Sequence, residues 1–101
     1  MVLLKVTYRV RAHQMAEFER IFQAQIMPLV QEHGLDFRGI WRTLVGEVGE
    51  YLELWNFTSL TEFDEQWRKL LNDPRLLEIF QVTGLMVEGE KFTLLEPLLE
   101  T

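Results

Sequence analysis

Residues 2–10 alternate between two faces, with Val2, Leu4, Val6, Tyr8 and Val10 on one and Leu3, Lys5, Thr7 and Arg9 on the other. A period of two is that of a strand. From Gln14 the spacing lengthens. Met15, Phe18, Ile21, Phe22, Ile26, Leu29 and Val30 recur at steps of three and four, which predicts about five turns of helix with one apolar stripe. Pro28 lies inside that stripe and removes the hydrogen bond its N–H would give to the Ala24 carbonyl, so a kink or a partly unwound last turn is expected. Gly34 stops the helix.

Two further strands are predicted over 36–45 and 51–57, joined by the turn Gly46-Glu47-Val48-Gly49-Glu50. Ser59-Leu60-Thr61-Glu62 has the spacing of a capping box, in which the Ser59 hydroxyl accepts from the Glu62 N–H and the Glu62 carboxylate reaches back. It opens a second helix with Leu60, Phe63, Trp67, Leu70 and Leu71 on its apolar side. Asp73-Pro74 starts a short helix, with Asp73 as N-cap and Leu76, Leu77 and Phe80 on its inner side. A last strand runs from about Leu85 to Leu95, with Gly89 placed for a bulge, and Pro97 ends it.

The order strand, helix, strand, strand, helix, short helix, strand is the split β-α-β doublet. The fold class is therefore α+β, ferredoxin-like βαββαβ: a four-stranded antiparallel sheet with helices on one face, in a single domain over 1–101. The other face of that sheet should be polar, and it is not. Strand 2 places Phe37, Trp41 and Val45 on one face and Ile40 and Leu44 on the other, and strand 3 sets Tyr51, Trp55 and Phe57 against Leu52 and Leu54. An apolar patch of that kind marks an interface, and the expected partner is a second copy, giving a homodimer through the sheet face, a dimeric α+β barrel. The stems of Arg9, Arg38 and Arg42 are the alternative cover.

Composition narrows the chemistry. There is no cysteine in the 101 residues, which removes disulfides and thiolate chemistry. The net charge of −6 lies wholly in the second half: residues 1–50 carry 6 basic and 6 acidic residues, residues 51–101 carry 4 and 10. An acidic chain without a basic stripe repels phosphate backbones, so no nucleic-acid partner is expected. No apolar run approaches the ~18 residues that would span a membrane, and the first residues are too short an apolar stretch for a signal peptide. A cytoplasmic protein with no membrane partner is expected.

The stretch His33-Gly34-Leu35-Asp36-Phe37-Arg38-Gly39-Ile40-Trp41-Arg42-Thr43, continued through Val45-Gly46-Glu47, resembles the NIPSNAP family. There a helix ends in His-Gly and a strand follows with a Gly-aromatic-Trp run and a Val-Gly turn. Tyr8-Arg9-Val10, Leu54-Trp55, Ser59-Leu60 and Asp73-Pro74 extend the likeness over most of the chain, roughly Leu3 to Leu98. The resemblance implies the dimeric α+β barrel and little chemistry, since such domains have no agreed enzymatic activity and eukaryotic members act as interaction proteins. Glu53 departs from the pattern, standing where a histidine or an apolar residue is expected before Leu-Trp, and Leu77 stands where an aromatic is common.

Candidate site residues follow from the alternation. Tyr8, Trp41 and Trp55 are expected on one sheet face, where Phe18, Phe22, Phe63 and Trp67 from the helices would complete an aromatic cleft. Such a cleft takes a small apolar ligand; the alternative is a filled aromatic core. A binding module for that ligand or for a partner protein is the leading reading. The runner-up, by analogy with other barrels of this fold, is a cofactor-independent monooxygenase acting on a phenol, with Asn56 or Arg42 as the polar group. Haem chemistry as that fold carries it elsewhere lacks its ligand, because helix 2 has no histidine and strand 1 has Thr7 in place of an asparagine. His13 and His33 have no ligand spacing, so neither metal nor cofactor is expected, and His33 is assigned to the helix C-terminus. Arg38 and Arg42 are expected on one face, paired with Glu53 or with acids of a partner copy, or else holding a carboxylate.

Overall fold

The alternating N-terminal stretch is a central strand. In the computed structural model, which describes residues 1–100, β1 (Val2–Val10) lies between β3 (Glu50–Phe57) and β4 (Val87–Leu95). With β2 (Asp36–Arg42) outside β3, the sheet order is β2-β3-β1-β4 and every pairing is antiparallel. Leu4, Val6, Tyr8 and Val10 of β1 and Tyr51, Trp55 and Phe57 of β3 are buried under the helices, as period two requires. This is the ferredoxin-like α+β architecture that the element order predicts. Among the described residues no helix is long and apolar enough to cross a membrane.

The first helical segment departs from a plain α-helix at a defined place. After a 3-10 turn at Ala12–Gln14, α1 (Met15–Ile21) and α2 (Met27–Glu32) are joined by a π turn over Phe22–Ile26. The Met27 N–H donates to the Phe22 carbonyl, five residues back, one position before Pro28. A proline in a regular helix leaves the carbonyl four residues back without a donor and presses its ring against it. The wider turn lies where that conflict would fall, so the expected disturbance sits upstream of Pro28 and the last turn stays helical. Gly34, at φ 70°, then ends the segment.

Helices α3 (Leu60–Leu71) and α4 (Pro74–Thr83) begin on the two caps read from the sequence. Ser59 Oγ accepts from the Glu62 N–H at 3.1 Å, and the Glu62 carboxylate reaches past it to the Thr58 N–H at 2.7 Å. Asp73 Oδ1 accepts from the Arg75 N–H at 2.9 Å. In α4 the inward residues are Leu76, Ile79, Phe80 and Thr83, whereas Leu77 faces out, one position off the buried stripe.

The two outer strands carry the main corrections. β2 stops at Arg42, so Leu44 and Val45 stand in the turn at 96% and 91% exposure and belong to neither sheet face. Gly49 diverts the chain there: its carbonyl accepts from the Val10 N–H at 2.8 Å, and a Cβ would stand 2.2 Å from the Val10 oxygen. Within β2 the register slips between Phe37 and Gly39, where Phe37 faces Trp55 and Gly39 already faces Leu54. Gly39 takes φ 144°, an extra residue is absorbed, and the alternation beyond it inverts. Ile40 therefore turns inward opposite Glu53, while Trp41 turns to the open face opposite Leu52 and lies over Gly39. A second bulge, at Gly89 with φ 63°, interrupts β4 opposite Tyr8.

Candidate functional site

Between the sheet and the helices lies a cavity of about 250 Å³. Its floor is the inward face of the sheet: Val6 and Tyr8 from β1, Glu53 and Trp55 from β3, Phe92 from β4. Phe18, Phe22 and Ile26 form one wall, so the π turn borders the cavity directly. Trp67 and Leu70 of α3 and Leu76, Phe80 and Thr83 of α4 form the other. The rings interlock, Tyr8 edge-on to Phe18 at 5.6 Å and Trp55 edge-on to Trp67 at 5.2 Å. Such contacts hold the walls in place beyond what area burial gives.

Among the polar groups of this mainly apolar space, Glu53 is the buried acid, 8% exposed. One carboxylate oxygen accepts from the Tyr8 hydroxyl, the other from Trp55 Nε1 at 3.0 Å. Two neutral donors and no cation hold it. Burial pushes the Glu53 carboxyl up to about 7, against the lowering effect of both hydrogen bonds and with a further push from Glu90. The Tyr8 hydroxyl, buried and facing that carboxylate, is held above the usual phenol range. Glu90 reaches the cavity in the same phase of β4 as Leu94 and Phe92, on the near side of the Gly89 bulge; partial desolvation raises its carboxyl too. The site thus holds a buried carboxyl raised above its usual range against aromatic walls, with a second carboxyl beside it.

Of the residues predicted for the cleft, Tyr8, Phe18, Phe22, Trp55 and Trp67 line this cavity. Phe63 stands behind it, stacked on Trp67 at 6.1 Å and edge-on to Phe57. Three residues lie elsewhere. Trp41 is on the opposite face of the sheet at 51% exposure, because the Gly39 bulge inverts its phase. Asn56 is on that face too, in the outward phase of β3, where its Nδ2 donates to Asp36 at 3.0 Å. Arg42 is carried to the helix side by the same bulge and pairs with Glu19 of α1 at 2.6 Å, beside the Tyr51 hydroxyl that donates to the same carboxylate. Arg38, bound to Asp36, does not share its face, so neither arginine meets Glu53. The alternation in β3 does contain the signal for Glu53: it is the one charged residue in the inward phase with Tyr51, Trp55 and Phe57.

His33 sits at the end of α2 with Nε2 2.8 Å from Asp73 Oδ2, and Arg75 Nη2 approaches the same oxygen at 2.8 Å. This cluster ties the first helical segment to the start of α4, and its Arg75 and His33 partners hold the Asp73 carboxyl well below the usual carboxylate range. Among the described residues no three of His, Asp and Glu are grouped to hold a metal ion.

A family model described as NIPSNAP matches residues 5–99. Among solved structures, a NIPSNAP family protein with unknown function from Agrobacterium tumefaciens superposes with a TM-score of 0.88 at 21% identity, covering 96% of this chain and 87% of that one. An uncharacterized NIPSNAP domain protein from Burkholderia xenovorans gives 0.87 at 22%, over 96% and 94%. A candidate antibiotic biosynthesis monooxygenase from Deinococcus radiodurans gives 0.74 at 17%, over 100% and 96%. At such identities the likeness is one of fold. A search of curated proteins finds no match.

Proposed function

Because the chain belongs to the NIPSNAP family, we propose that it acts as a homodimeric binding domain whose aromatic cavity takes a small, largely apolar ligand. The cavity carries the reading: about 250 Å³ lined by aromatic and aliphatic side chains, with a buried carboxyl at its floor. A core without function would gain by closing that space, since interiors otherwise pack to crystal density.

Support for the second copy comes from the other side of the sheet. Trp41, Leu52, Leu54, Leu3 and Leu95 occupy its outward phases, and Leu98 and Leu99 extend past β4 fully exposed. Two-fold pairing covers such a face with the same face of another copy.

The three tryptophans give the test. Indole is titrated into ¹⁵N-labelled protein and the indole N–H signals are followed. Trp55 and Trp67 should shift and Trp41, on the far face, should not; equal shifts at all three would mean surface adsorption and sink the reading. Native mass spectrometry should show twice the 12.0 kDa chain mass, reverting to one chain in Leu54→Lys; an unpaired wild-type chain would remove the dimer.

Oxygenation of a phenol without cofactor ranks second. The fold match to the Deinococcus protein favours it. Such a reaction must first form a phenolate, and no cationic side chain lines the cavity to hold one. Oxygen uptake with a naphthol, lost in Tyr8→Phe, would reverse this order.

A further inference from the structure

The cations of this chain all lie away from the cavity. Every arginine is engaged away from the cavity: Arg9 with Glu47, Arg11 with Glu88, Arg20 with Glu17, Arg38 with Asp36, Arg42 with Glu19, Arg68 with Asp64, Arg75 with Glu32 and Asp73. Lys5 and Lys91 lie in the outward phases of β1 and β4, and Lys69 is exposed on α3. No lysine, arginine or histidine lines the cavity, whereas two carboxyls do, Glu53 at the floor and Glu90 beside it. Among the described residues neither forms an ion pair.

A buried carboxylate is ordinarily paired with a cation. Here the fold supplies two neutral donors and leaves further acceptor positions on Glu53 open, for a carboxylate can accept about four hydrogen bonds. Around it stand the rings of Tyr8, Trp55, Trp67 and Phe92, whose faces attract cations. We infer that the ligand of this cavity is a small apolar ammonium, its charged end between Glu53 and Glu90 and its hydrocarbon part against the aromatic walls. The inference rests on the proposal that the cavity binds a small molecule, and it names that molecule's chemical class. Carboxylates and phosphates are repelled by the same pair of acids.

Binding should then depend on the protonation of Glu53. The titratable groups facing Glu53 are Tyr8 from β1 and Glu90 from β4; the helix side chains that line the cavity carry no charge. Below about 7 the Glu53 carboxyl holds a proton and attraction for an ammonium weakens. Above that point the ionised form binds it.

Isothermal titration of the full chain with benzylamine, benzyl alcohol and benzoate tests this. At about pH 8 benzylamine should bind about tenfold or more tightly than the alcohol, and benzoate should not bind. At about pH 5.5, and in Glu53→Gln, that preference should fall to about threefold or less. Should Glu53→Gln fail to fold, Glu90→Gln, at an exposed position, should lower the preference in the same direction. Equal binding of amine and alcohol would leave the cavity reading standing and overturn the charge inference. Failure of all three probes, with no shift at Trp55 or Trp67 on indole addition, would remove the cavity reading and the inference with it.

Discussion

The Tyr8 hydroxyl donates to the Glu53 carboxylate diagonally across β1 and β3, while the Tyr8 ring stacks on Tyr51 at 5.6 Å. One side chain therefore both packs the sheet and satisfies a buried acid. Glu53 and Asp73 are the two buried acids, and they are held in opposite ways. Asp73 faces Arg75 and His33 and is kept ionised; Glu53 faces a phenol and an indole and is pushed toward its neutral form.

Stability should therefore fall on the alkaline side of Glu53's unfolded value. With its folded carboxyl at about 7 against 4.5 for the free group, the native state holds the proton more tightly. That contribution is complete below the unfolded value and is lost as pH rises through about 7. The full effect is roughly 3–4 kcal/mol. Urea unfolding at about pH 5 and about pH 8 should show the slope in wild type and a shallower one in Glu53→Gln, where only Glu90 still contributes in that direction. An identical slope in the variant would mean that another group carries it.

Asp73 gives the opposite sign. Its depressed carboxyl contributes stability above the ordinary carboxylate range, lost as pH falls through its folded value. Asp73→Asn keeps an N-cap oxygen for Arg75 N–H but removes the charge facing His33 and Arg75. Acid titration followed by circular dichroism should show a shallower acid limb in the variant; an unchanged limb would contradict the assignment.

Tyr8→Phe should raise the Glu53 carboxyl further, because it removes a hydrogen bond that favours the ionised form. The side-chain carboxyl carbon of Glu53, followed by NMR through a pH series, reads this directly. Loss of the partner should also destabilise the fold by about 1–3 kcal/mol. A downward move would mean that the hydroxyl is not the donor.

Gly39→Ala should destabilise by about 1–3 kcal/mol, since φ 144° disfavours any side chain and the new Cβ would stand 2.7 Å from the Trp41 ring. In a Trp41→Ala background the same change should cost less, because the ring is gone and only the backbone strain remains. Equal costs in both backgrounds would show that ring contact contributes nothing.

Much of the architecture was legible because β1 alternates strictly from Leu4 to Val10 and because Ser59 and Asp73 mark two helix starts by side-chain chemistry. The cleft was legible on the strands and helices whose phase is undisturbed: Tyr8 and Trp55, Phe18 and Phe22, Trp67. What failed was phase in β2. A single bulge inverts every residue after it, and because both faces of that strand carry apolar side chains, the pattern around Gly39 reads equally well in either phase. Glu53 escaped for a different reason. Although it shares the phase of Tyr51 and Trp55, a carboxylate in a strand reads as a partner for a neighbouring arginine, and the expected pairing with Arg38 or Arg42 assigned it away from the cleft.

The π turn at Phe22–Ile26 also fixes the residue count of the first helical segment. A deletion there that restored regular winding would turn α2 by about 100° relative to α1. Leu29 and Val30, now buried, would rotate away from the sheet. The turn that accommodates Pro28 is also the one that borders the cavity, so chains that shorten this helix by one residue should have to give up the proline, the buried face of α2 and the shape of that cavity together.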